Sequence, residues 1–178
     1  MSNPSMVIVV VEDHRQEMLI SRYLKNRGFN KHQFYVRKSP PGEGSAERWV
    51  RRTFATETNT YRNRQARAST ALIAMIDADT RTVRDRLTEL DAELIAIGKP
   101  PVGNDEKIAR LIPKRNVETW ILCLTGKQVN EETDYKQTRV DWTEPTRAAA
   151  LALHRSQQPE AFIDSLQSGL SELAKIAF

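Results

Sequence analysis

The chain has 178 residues, 39% apolar and 28% charged, with 27 Lys/Arg against 23 Asp/Glu and a formal net charge of +4. That composition excludes wholesale disorder, and the length suits one core with a short helical appendage. The single cysteine, Cys123, excludes an internal disulfide or a cysteine-rich zinc site, and with no leader pattern and no apolar run of membrane-spanning length a cytoplasmic protein is expected.

Met6 to Val11 is a continuous, mostly β-branched run that reads as a strand buried on both faces, and it stops at Glu12-Asp13-His14. Met18, Leu19, Tyr23 and Leu24 then recur at helical spacing, with Gly28 as the C-cap. A second strand is expected over His32 to Val36, followed by the irregular loop Lys38 to Gly44. Ser45 can cap a helix through about Arg67, with Trp49, Val50 and Phe54 inward. Ala71 to Ile76 is a second buried run, again ending in acids, Asp77-Ala78-Asp79. Thr80 opens a helix to about Ile97, Lys99 to Gly103 breaks it, and Ile108 to Ile112 reads as a further core strand. Asn116 caps a short helix from Val117 to Leu124, within which Cys123 is an inert buried thiol. The polar segment from Lys127 to Trp142 has no clear period, and two helices follow, roughly Glu144 to His154 and Pro159 to Ala177. This alternation predicts an α/β, Rossmann-like three-layer fold with a mostly parallel four-stranded sheet plus C-terminal helices. Residues 1–126 form the α/β domain, and 127–178 a helical extension packed on it. The amphipathic face of the last helix (Phe162, Leu166, Leu170, Leu173) suits its own core or a partner, a second copy included.

In such sheets ligands bind outside the carboxyl ends of the strands. Glu12 and Asp77-Ala78-Asp79 each follow a strongly predicted strand, so neighbouring strands would bring several carboxylates together. Like charges at that spacing repel unless a cation neutralises them, and an all-oxygen set favours magnesium or manganese over zinc. In Asp-x-Asp, one side chain can reach the metal and the other a bound water or second ion. Asp13 and Asp79 are equally readable as helix N-caps. Lys114 and Arg115 follow the last strand, where either can neutralise a reacting phosphate or simply sit in a solvated loop. Glu118, taken as the N3 residue of its helix, either completes the cap or serves as a further metal ligand. From Arg37 to Arg67 the chain carries Lys and Arg well in excess of its acids, and Arg37, Lys38, Arg48, Arg51, Arg52 and Arg115 are candidate contacts to nucleic acid. A solvated helix face accounts for such a run equally well. Trp49 reads as core rather than as a base-stacking platform, His14 as a surface side chain, and His32 and His154 lack metal-ligand spacing.

Val9-Val-Val-Glu12 followed by Ile76-Asp77-Ala78-Asp79 resembles the Toprim domain, with Asp13 standing where many of its members have glycine. The stretch Leu111 to Trp120 is similar to one in small Toprim-like proteins of bacterial defence loci, and the resemblance spans residues 6 to about 126. It implies that Glu12 acts as general acid/base or metal ligand and that Asp77 and Asp79 hold Mg2+ or Mn2+. It further implies a nuclease of the overcoming-lysogenization-defect type, acting on DNA or RNA in phage defence beside an ATPase partner. A non-catalytic nucleic-acid-binding or scaffold subunit of such a complex is the alternative. Val9 to Asp13 also resembles a response-regulator receiver, but the distance from Asp13 to Asp77 is too long for that pattern.

Overall fold

The two apolar runs that end in acids lie side by side at the centre of the sheet. The computed structural model describes residues 3–42, 44–137, 139–155 and 162–176. Strand β1 (Met6–Val11) pairs in parallel with β2 (Phe34–Lys38) on one side and with β3 (Thr70–Met75) on the other, and β4 (Ile108–Leu111) pairs in parallel with β3. The order is therefore β2-β1-β3-β4, all parallel. Pairing of Val7 with Phe34 and Val11 with Lys38 fixes β2 two residues later than the composition suggests, so Arg37 and Lys38 are strand residues rather than loop.

Helix α1 (His14–Asn26) carries the chain from β1 out to β2, whereas α2 (Ala46–Arg64) brings it back across β1 to β3 and α3 (Val83–Ala96) continues to β4. A right-handed crossover makes the direction of travel decide the face, so α1 lies on one face and α2 and α3 on the other. The pleat divides the strands accordingly. Val7, Val9, Val11, Ala71, Ile73 and Met75 join the core beneath α1, while Ile8, Val10, Leu72, Ala74 and Ile76 join the core beneath α2 and α3.

The α1 face is completed by α4 (Val117–Leu124), α5 (Thr143–Arg155) and α6 (Asp164–Ala174). Helix α5 packs on α1 and α4, and α6 packs along β4. Glu172 on α6 accepts the Arg110 backbone N–H at 2.9 Å, satisfying a donor on the open side of that edge strand. Gly169 lets α6 approach Trp120 closely: a Cβ there would lie 2.2 Å from the indole ring. The C-terminal helix is shorter than expected, and residues 159–161 and 177 of its expected span lie outside the described residues. Among the described residues no helix is long and apolar enough to cross a membrane.

Candidate functional site

Because α1 leaves β1 toward one face and α3 leaves β3 toward the other, the topological switch point of the sheet falls between the carboxyl ends of these two adjacent strands. Glu12 and Asp77 sit on its two sides, and they are joined. The Asp77 backbone N–H donates to Glu12 Oε1 at 3.0 Å. Gln16 closes the ring, its Oε1 accepting from the Glu12 N–H and its Nε2 donating to Asp77 Oδ1, both at 2.9 Å. Gln16 is wholly buried because Asp13 caps α1, accepting from the Arg15 and Gln16 N–H groups, and so turns the first helical turn over the strand ends. For Asp13, then, the capping role is the observed one.

Asp77 is fully buried, and its Oδ2 lies 2.7 Å from the Lys136 ammonium, which reaches in from a 3₁₀ turn at Tyr135–Gln137. Burial raises the Glu12 carboxyl to about 8, with the Asp77 charge adding to the effect and Lys136 opposing it. Burial likewise raises Asp77 to about 7 against the pull of Lys136, with Asp13 and Glu118 contributing repulsion. Burial weakens the Lys136 ammonium's hold on its proton, but the Asp77, Glu118 and Glu12 charges outweigh it and hold the group above the usual lysine range.

Glu118 is fully buried on the same side. It occupies N2 of α4, not N3, and closes no capping box; Oε1 instead takes a short contact from Arg15. The N3 residue is Thr119, which donates to Asn116 Oδ1 at 3.2 Å. Asn116 makes no side-chain cap bond to the helix backbone: its Oδ1 takes the Thr119 hydroxyl, and its Nδ2 donates to Asp134 at 2.8 Å and so pins the segment that carries Lys136.

Asp79 does not cap α3 either. Thr82 and Asp85 form the capping box there, two residues beyond the expected start. Asp79 adopts φ +54° opposite Arg115 at φ +69°, and a backbone bridge between them ties the loops after β3 and β4 together. Its side chain is half exposed and meets Arg86 at 3.3 Å. Arg86, almost wholly buried, also pairs with Glu47 and Glu89 and donates through Nε to the Asp77 carbonyl at 3.0 Å. It fixes the Asp77 main chain from the α3 side.

The expected cations are placed unequally. Lys114 donates to the Arg81 carbonyl at 2.9 Å, beside α3, and Arg115 approaches Asp134 at 3.7 Å. Arg37 pairs with buried Glu57, Lys38 with Glu17, and Arg51 with Glu47 and Glu93. Arg48 and Arg52 are exposed on the outer side of α2. Arg15, Gln16, Arg86 and Lys136 are the site residues that sequence reasoning missed. Arg15 also lines a cleft of about 470 Å³, with Asp13, His14, Met18, Val140 and Trp142. The Arg15 guanidinium lies over the Trp142 ring, 5.0 Å from its centroid.

No family model, curated protein or solved structure matches this chain. The site has to be read from its own chemistry.

Among the described residues no three His, Cys, Asp or Glu side chains are drawn together as a ligand set. The carboxylates are nonetheless close enough to perturb one another. One carboxylate oxygen, Glu118 Oε2, is buried without a hydrogen bond, whereas Asp77 Oδ2 is held by the Lys136 ammonium. Buried carboxylate oxygens normally have partners, and the open Glu118 oxygen suits a hard divalent cation; at Asp77 such a cation would take the place of the Lys136 ammonium. Glu12, Asp77 and Glu118 would hold it, with the half-exposed Asp79 at the rim.

Proposed function

We propose that this chain is a magnesium- or manganese-dependent nuclease of the Toprim kind, hydrolysing phosphodiester bonds in DNA or RNA. By the same resemblance it belongs to a phage-defence system with an ATPase partner. The observation that carries the reading is the pairing of two carboxyls, the partly buried Glu12 and the fully buried Asp77, across the carboxyl ends of adjacent parallel strands.

A bound divalent cation would supply Lewis-acid polarisation of the phosphodiester. The rest falls to the side chains. Glu12, with one oxygen fixed by the Asp77 N–H, keeps a second oxygen that can exchange a proton with an attacking water or the leaving oxygen. Gln16 fixes the relative orientation of the two carboxyls. Lys136 and Arg15 place positive charge against the acids, where a bound phosphate would gather its own. Arg86 holds the Asp77 carbonyl and with it the turn that presents the acid.

One observation favours a second reading, a non-catalytic binding or scaffold subunit: Lys136 already neutralises Asp77. The complete burial of Asp77 argues against a receiver, whose phosphoacceptor must be reached from solvent.

Purified protein is incubated with plasmid DNA and with total RNA, in magnesium, manganese or EDTA, beside a Glu12→Gln/Asp77→Asn double variant. The nuclease reading expects metal-dependent cleavage that falls by roughly a thousandfold or more in the variant. Cleavage that persists undiminished in the variant, or in EDTA, contradicts it. Silence of the wild-type chain on both substrates, with and without a candidate ATPase, favours the binding subunit.

A further inference from the structure

We propose that the outward face of α2 is the track along which the nucleic-acid backbone lies. The inference rests on the nuclease reading for the identity of its ligand, and it stands on a separate set of residues. Helix α2 carries two acids and five arginines. Both acids are neutralised: Glu47, partly exposed, by Arg51 and Arg86, and Glu57, almost wholly buried, by Arg37. Two of the arginines are also consumed internally, Arg51 on Glu47 and Glu93, and Arg62 on Glu106. Arg48, Arg52 and Arg64 are exposed and form no ion pair among the described residues.

The remainder of the outer face is polar and free of acids. Arg48, Arg52, Thr56, Asn59 and Asn63 recur at helical spacing and project along one line, with Arg64 beside its far end. At 1.5 Å per residue the line runs about 22 Å, roughly six phosphates of one strand. Its near end adjoins the site: Glu47, next to Arg48, accepts from the same Arg86 guanidinium that holds the Asp77 carbonyl. A cationic, hydrogen-bonding, acid-free face leading to a carboxylate site fits a phosphodiester backbone, which contacts of this kind position without reading sequence. The chemistry is common to DNA and RNA.

The test is fluorescence anisotropy in EDTA with labelled 20-mers of duplex DNA, duplex RNA and single-stranded DNA. Wild type is compared with Arg48→Glu/Arg52→Glu, with Arg48→Gln/Arg52→Gln, and with Arg147→Glu on α5, each checked for wild-type unfolding temperature. The glutamate pair is expected to weaken binding at least tenfold to whichever 20-mer wild type prefers. The glutamine pair should lower the slope of log affinity against log salt by about two contacts' worth. Arg147→Glu should bind as wild type does. The proposal is overturned if wild type binds none of the three, if the glutamate pair binds like wild type, or if Arg147→Glu weakens binding equally. Cleavage plays no part in EDTA, so a chain that binds through α2 yet never cleaves sinks the nuclease reading and leaves this one standing.

Discussion

Four acidic side chains among the described residues are almost wholly buried, and they fall into two pairs. Glu57 and Glu172 lie toward the sheet's edges, and each of their oxygens has a partner. Glu57 takes Arg37 on one and the Tyr35 hydroxyl on the other. Glu172 takes Lys175 on one, and on the other the Arg110 backbone N–H with its guanidinium at 3.5 Å. Asp77 and Glu118 lie at the strand carboxyl ends: Asp77 takes Gln16 on one oxygen and the Lys136 ammonium of a distant loop on the other, and Glu118 keeps Oε2 buried without a hydrogen bond. An acid that serves the fold is satisfied by the fold. An acid kept buried and incompletely satisfied costs stability, and such a cost is typical of sites that complete themselves with a ligand.

That contrast can be broken by substitution. The largest effect is expected from Lys136→Met, which leaves the Asp77 charge buried without a counter-ion. Loss of such a partner costs about 3–5 kcal/mol in a fully buried pair, and the partial exposure of Lys136 brings the expectation to about 2 kcal/mol at pH 8. Urea unfolding should show the loss shrinking at pH 5, where Asp77 takes up a proton. Next, Glu57→Gln and Glu172→Gln should each lose about 1–3 kcal/mol by the same measurement while leaving metal response unchanged. Asp77→Asn should do the reverse, holding or raising the metal-free stability by about 1 kcal/mol at pH 8 while abolishing metal response. If all three destabilise alike, the division between the pairs is wrong.

A further effect is in the pH profile. Glu12 moves from an ordinary 4.5 to about 8 on folding, so the folded chain binds more protons than the unfolded one across that window. The stability from this group is full below about pH 4.5 and is lost as the pH rises through 8. Metal-free protein should therefore unfold more easily at pH 8.5 than at pH 5, and Glu12→Gln should flatten that slope in thermal melts across the range.

The acids at the strand ends were legible because β1 and β3 are unbroken apolar runs that stop at charges; that their strands are neighbours was not. Lys136 was invisible. It sits in a polar segment with no period, and only the return of that segment across the strand ends, pinned by Asn116 and Asp134, brings it to Asp77. Gln16 was hidden differently, because a glutamine in a first helical turn normally faces water unless the helix entry lies over another strand's end. The start of α3 carried a readable signal that was passed over: Thr82 followed by Asp85 completes a capping box, which Thr80 with Val83 cannot. Arg37 and Arg51 counted as surface charge in the sequence, yet their partners Glu57, Glu47 and Glu93 come from other turns or elements.

The most direct test of the central claim is the unfolding temperature of wild type and Asp77→Asn at pH 8 as magnesium or manganese is added. The account predicts a saturable rise for wild type, which a ligand bound only to the folded chain must produce, and none for the variant. Equal rises in both proteins, or no rise in wild type, would contradict a metal site at Glu12, Asp77 and Glu118.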